Sequence, residues 1–191
     1  MRVSALFALA YLAGSVNFSI LLFRILKKGD PREAYSKNPG TTNVYRQLGI
    51  FWAAVVLLLD MGRAVAVALI CLKLLKIQLV PWAGLALIAG NRFPCFHGLR
   101  GGKGVANYLG FTLMVTPLWA AAGVLAWLAA FGIFRLPFIG SLAMVALLGG
   151  GTMAACSFHP VATIGVLATV VLIYWAHKPN IVQQIQKWKS E

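Results

Sequence analysis

An all-helical bundle embedded in a membrane is the fold class that this sequence predicts, and three observations predict it. Of the 191 residues, 60% are hydrophobic and only 11% are charged, whereas soluble domains carry about 25% charged residues. Apolar stretches such as 3–23, 50–72 and 158–176 reach the ~20 residues that a helix needs to cross a hydrocarbon core. Seventeen Lys and Arg stand against four Asp and Glu, a net charge of +13, and most of the cations fall between the apolar stretches. Loops that fix topology collect basic residues in this way. The length fits a single membrane domain over residues 1–191.

Seven apolar segments follow in order: 2–26, 50–72, 79–96, 104–116, 117–134, 138–156 and 158–176. The first has one Arg2 ahead of it and Lys27-Lys28 behind, which reads as a retained helix rather than a cleaved signal. The second and sixth carry small residues (Gly62, Ala64, Ala66 and Ala68; Gly149-Gly150-Gly151) that let helix backbones approach closely in lipid. The fourth is too short to cross roughly 30 Å of hydrocarbon. It predicts a half-spanning helix that ends at Pro117, an arrangement tolerated where protein or a polar cavity satisfies the freed backbone groups. After the seventh, Ile181, Val182, Ile185 and Trp188 share one helical face, with Lys187 and Lys189 close by. A short helix over about 180–189, lying in the membrane interface, is expected there.

Charge fixes the orientation. With residue 1 outside, the inside segments hold Arg24, Lys27, Lys28, Arg32, Lys37, Arg46, Arg92, Arg100, Lys103, Arg135, Lys178, Lys187 and Lys189. Only Arg2, Lys73 and Lys76 remain outside, and Arg63 lies within a helix. The positive-inside rule then puts the N-terminus out and the C-terminus in.

Several function classes drop out. No basic face is interleaved with the aromatics that base stacking requires, so no nucleic-acid partner is expected. Cys71, Cys95 and Cys156 form no disulfide framework or metal-ligand spacing. His97, His159 and His177 show no H-E-x-x-H pattern. No metal site is expected. A nucleophile elbow is absent, and with Asp30, Glu33, Asp60 and Glu191 as the whole acidic inventory a Ser-His-Asp arrangement is hard to build. Asp60 and Arg63, three apart within the second segment, read as a self-neutralising clasp.

Three polar stretches share the inner side. In "GLRGGKGVANYLG", residues 98–110, the Walker pattern is missing its leading glycine and its Ser or Thr. What remains is Gly101, Gly102 and Gly104, whose backbone amides suit an anion nest, with Lys103 as a point charge and Arg100 as a fork. The helix that follows adds the positive end of its dipole. The bland reading is a membrane turn with interfacial cations. In "YSKNPGTTNVYRQLG", residues 35–49, Asn38-Pro39-Gly40 is a turn, and Ser36, Thr42 and Asn43 are small polar groups. A helical turn would put Asn43 and Arg46 on one face. N-capping of the next helix explains the same residues. In "AHKPNIVQQIQ", residues 176–186, His177 and Asn180 stand three apart.

Taken together, "SKNPGTTNVYRQLG", "GLRGGKGVANYLG" and "HKPNIVQQIQ", with the early "LAGSVNF" and the later "LLLDMGRA", resemble the motifs of the bacterial acyl-phosphate:glycerol-3-phosphate acyltransferases. The five occur in order from about residue 11 to 185. The resemblance implies a seven-helix inner-membrane enzyme with its site on the cytoplasmic face. Such an enzyme moves a fatty acyl group from acyl phosphate to the 1-position of glycerol 3-phosphate, giving lysophosphatidic acid and phosphate. Its partners are those two substrates and membrane lipids, with no cofactor, coenzyme A or acyl carrier protein. By this resemblance Lys103, His177 and Asn180 are catalytic. Ser36, Asn38, Thr42, Asn43, Arg46, Gly101, Gly102, Gly104 and, more loosely aligned, Ser141 bind substrate phosphate. The chain departs from the family pattern at Lys37, Thr41, Arg63, Ala64, Asn91 and Lys178, which admits a different acyl acceptor. A transporter or flippase for a small anion also fits a half-helix beside a basic cavity, but it needs polar access from both sides.

Overall fold

The computed structural model describes residues 2–190, and among them all regular structure is helical. The first apolar segment is two helices, α1 (Arg2–Ser15) and α2 (Phe18–Ile25). The expected single helix breaks at Val16-Asn17. There the Asn17 side chain accepts from the Ile20 N–H at 3.0 Å and starts a new helix, as an N-cap asparagine does. A loop leads to α3 (Thr41–Leu48) and then to the long α4 (Ile50–Leu74).

The remaining helices are α5 (Val80–Arg92), α6 (Val105–Val115), α7 (Pro117–Phe134), α8 (Pro137–Ala155), α9 (Pro160–Ala176) and α10 (Lys178–Ser190). Helices α7, α8 and α9 each start on proline, where the missing N–H costs nothing. Each of the seven apolar segments therefore contains a helix. Four spans are long and apolar enough to cross a membrane: Arg2–Ile25, Ile50–Leu74, Pro117–Phe134 and Pro137–Ala155. A fifth appears if α9 and α10, bent by 47°, count as one. Helix α6 is the short element foreseen before Pro117.

Packing sets α1 against α5, α4 against α6, α7 against α8, and α9 against α5 and α8. The α1–α5 pair is held at backbone distance. A Cβ on Gly14 would lie 2.0 Å from the Leu87 carbonyl oxygen, and one on Gly90 would lie 2.0 Å from that of Tyr11. Of the small residues singled out above, Gly151 fits this logic, since a Cβ there would strike Trp119 at 2.1 Å. Gly62 and Gly150 do not, having open space beside them. One apolar core joins α1, α4, α5 and α6 through Ala10, Val67, Leu87 and Phe111. A second joins α5 through α9 around Ile88, Tyr108, Leu148 and Ile173.

Asp60 and Arg63 form the expected clasp at 2.8 Å, both side chains nearly buried. The guanidinium also donates to the Val16 carbonyl and to Asn107 Oδ1, and it lies 5.1 Å from the Phe18 ring centroid. One buried cation thus ties α4 to the α1–α2 break and to α6. Its partners supply the compensation that a buried charge needs.

Candidate active site

The glycine turn is built on the end of α5. The Gly101 N–H donates to the Arg92 carbonyl at 3.1 Å, and the Gly102 N–H donates to that of Asn91 at 3.0 Å. A Cβ on Gly101 would sit 2.0 Å from the Asn91 oxygen, and one on Gly102 2.9 Å from Asn91 Oδ1. These glycines therefore permit close packing, and their amides are occupied. In this structure the chain itself engages the two amides expected to line an anion nest. Gly104, with φ +82°, turns the chain into α6 and supplies no side-chain cap. The first N–H groups of α6 have no intrahelical carbonyl, so they are the donors this turn leaves open.

Lys103 projects from the turn, and its ammonium donates to Asn180 Oδ1. The 47° bend after α9 brings Asn180 there. His177 occupies the bend, 2% exposed, and its Nδ1–H donates to the Ile173 carbonyl at 2.8 Å. That bond leaves Nε2 as the nitrogen with a lone pair. The three residues assigned to catalysis by resemblance therefore meet, although they come from two distant stretches of chain.

Two further cations stand close enough to act on Lys103. Burial, then the charges of Arg92 and Arg46, push its pKa down to about 8. Arg92, in the last turn of α5, has its guanidinium 5.5 Å from the Phe93 ring centroid and 5.1 Å from that of Trp175. The acids that form ion pairs are engaged elsewhere, Asp30 with Arg32 at 2.6 Å and Asp60 with Arg63. Lys103, Arg92 and Arg46 thus form a basic group with no carboxylate partner among the described residues. Such a group has one evident use, holding anions.

The family model for glycerol-3-phosphate acyltransferases matches residues 4–187. The chain belongs to that family. It is 39% identical over 183 residues to the glycerol-3-phosphate acyltransferase of Myxococcus xanthus (strain DK1622), covering 94% of each chain. It is 37% identical over 175 residues to that of Azotobacter vinelandii (strain DJ / ATCC BAA-1303), covering 91% of this chain and 90% of the relative. Its fold matches the crystal structure of PlsY, an integral membrane glycerol 3-phosphate acyltransferase, in its glycerol 3-phosphate form. The TM-score is 0.90 at 30% identity, over 98% of this chain and 94% of the other. The lysophosphatidic acid form of PlsY matches with a TM-score of 0.87 at 29% identity.

Within this glycerol-3-phosphate acyltransferase family member, the first motif is divided. Arg46 reaches Lys103 electrostatically. Asn43 is buried, and its amide donates to the Pro31 carbonyl at 2.7 Å and to that of Ala34 at 3.3 Å. It holds the 31–34 loop from the buried side of α3, while Arg46, three residues on in the same helix, is exposed; the Asn43 Oδ1 is buried with no partner among the described residues. Ser36 and Asn38 are half-buried in the loop, and Thr42 is exposed. Ser141 lies in α8, where its hydroxyl donates back to the Pro137 carbonyl at 3.0 Å. Arg100 lines a separate cleft of about 450 Å³ with Arg24, Arg32 and His97, away from Lys103.

In the sequence, Arg92 reads only as one of the inside charges that fix topology. A cation at the end of an apolar segment is what topology requires, and the Trp175 ring against it comes from α9, far along the chain. No cluster of three or more His, Cys, Asp or Glu suited to a metal occurs among the described residues.

Proposed function

We propose that this chain transfers a fatty acyl group from acyl phosphate to the 1-hydroxyl of glycerol 3-phosphate at the cytoplasmic face of a bacterial inner membrane. The observation that carries the proposal is Lys103 bonded to Asn180 beside His177, in a basic group without a carboxylate. Membership in the acyltransferase family supports the acceptor. The donor rests on the charge of the site, which suits two phosphate-bearing substrates and offers no general-base acid.

In this mechanism the cations and the open amides of α6 hold both phosphates, and the acceptor hydroxyl points at the acyl carbonyl. The glycerol oxygen forms the new ester bond to the acyl carbon. The carbon–oxygen bond to phosphate breaks, and its electron pair leaves on the phosphate. The hydroxyl proton passes to a phosphate oxygen of the substrate, so the protein supplies electrostatic stabilisation rather than a base. Lys103, His177 and Asn180 act on the reacting groups. Arg46, Ser36, Asn38, Thr42, Gly104 and Ser141 bind substrate. Gly101, Gly102 and Asn43 shape the site. No cofactor, coenzyme A or acyl carrier protein enters the reaction. The membrane domain spans 1–191 with its N-terminus out and C-terminus in, and α10 lies along the interface.

The test uses purified protein with palmitoyl phosphate and glycerol 3-phosphate, following phosphate release. Release that requires both the acceptor and Lys103 is expected. Equal release by Lys103→Ala would overturn the proposal.

A further inference from the structure

We infer that Arg92, whose guanidinium rests against the Phe93 and Trp175 rings, is a further substrate-binding residue, one that engages a phosphate monoester dianion beside Lys103. The inference rests on the acyltransferase reading above and extends it to a residue outside the three motifs.

Four observations carry it. The first is position. Arg92 closes α5, and its own carbonyl accepts from the Gly101 N–H, so the residue forms the floor of the glycine turn. The second is orientation. The Trp175 and Phe93 rings, 6.0 Å apart, both lie on one side of the guanidinium, at 5.1 and 5.5 Å, and two cation–π contacts limit the freedom the side chain has left to lose on binding. The third is an unmet bond, since the Arg92 Nε–H is buried and lacks an acceptor among the described residues. Leaving such a donor unsatisfied is costly, and a shift of the guanidinium towards a bound phosphate would give it an acceptor. The fourth is charge. Arg92 and Arg46 both repel Lys103, so the ligand-free site holds clustered like charges that an incoming dianion relieves.

Arginine also brings what lysine lacks, a planar fork that matches two phosphate oxygens at once. Lys103 and Asn180 can then stay on the reacting group while Arg92 fixes a phosphate. That phosphate belongs either to the acceptor, glycerol 3-phosphate, or to the acyl phosphate donor. Both present the same chemistry.

The experiment compares Arg92→Gln, Arg92→Lys and Lys103→Ala with the parent protein, all in detergent and all checked by thermal melting. KM is measured separately for glycerol 3-phosphate and for palmitoyl phosphate, and kcat is followed against pH. Arg92→Gln is expected to raise KM for one substrate by about 10-fold or more, the loss of a charged hydrogen bond, and the substrate affected identifies the phosphate. Arg92→Lys should recover part of the loss, and it keeps the test decisive if the glutamine variant fails to fold. The alkaline limb of activity should move to higher pH in Arg92→Gln, because removing a positive neighbour lets Lys103 hold its proton longer. An unchanged KM for both substrates with an unmoved alkaline limb overturns the inference, as does a fall in kcat alone. If Lys103→Ala is inactive while Arg92→Gln is normal, only the Arg92 assignment falls. If Lys103→Ala is fully active, the acyltransferase site itself is misassigned.

Discussion

Under the proposed function Lys103 acts as a cation, and its surroundings make that charge easier to lose. With its pKa pushed down to about 8 by burial and by Arg92 and Arg46, the ammonium is mostly intact at neutral pH and is lost as the pH rises through that value. Acyl transfer should therefore fall on the alkaline side of pH 8, as a kcat/KM profile would show. Lys103→Met should cost about 10²–10³ in turnover, the usual consequence of removing one preorganised electrostatic donor; the same phosphate-release assay measures it. Asn180→Asp places a carboxylate on the ammonium, which should move the alkaline limb upward while it weakens the hold on phosphate. At this scale the sequence was readable through its motifs, because Lys103, His177 and Asn180 carry a familiar pattern. Arg92 stood out only as a topology charge, and the loop contacts that Asn43 makes could not be foreseen. An amide that secures a loop and one that binds a ligand look alike until their neighbours are known.

Helices in lipid adhere by close approach, and the glycines that permit it can be told from those that do not. Gly14→Ala or Gly90→Ala forces a methyl into a backbone carbonyl of the facing helix, an overpacking that should cost about 1–3 kcal/mol. Gly62→Ala meets nothing and should be neutral or gain up to about 1 kcal/mol from helix propensity. Thermal melting in detergent compares the three directly. Gly101→Ala drives a methyl against the Asn91 carbonyl just as closely, so it should lower the melting temperature comparably and abolish most of the activity as well. The apolar segments themselves were evident from composition and length. Which glycines face a neighbour was not, because α4 is rich in small residues on its lipid side as well as its buried one. The break at Val16-Asn17 was hidden by a hydrophobic run that continues through it and is visible only when Asn17 is seen capping α2.

On the charge reading most of the basic residues lie on the side of the glycine turn, and orientation can be tested with residues already present. Cys95 is exposed beside the glycine turn, whereas Cys71 and Cys156 are buried, the latter next to Ile77 at the opposite end of the bundle. A membrane-impermeant maleimide should label Cys95 in inside-out vesicles and leave intact spheroplasts unlabelled; the reverse pattern would invert the topology. The charge asymmetry that predicts this orientation was plain in the sequence, because loops record topology in their composition. The helix pairings were not, since apolar faces in lipid carry little mark of their partners. One pairing bears on how the protein is made. Helix α6 is too short to partition into the bilayer alone, yet Gly110 meets the Met61 backbone of α4 and Asn107 accepts from Arg63. Since α4 precedes α6 in the chain, the dock is already synthesised when the short helix leaves the ribosome. Insertion of α6 should therefore depend on α4 having been retained beside the translocon, and an α4 released early into lipid would strand the glycine turn in water.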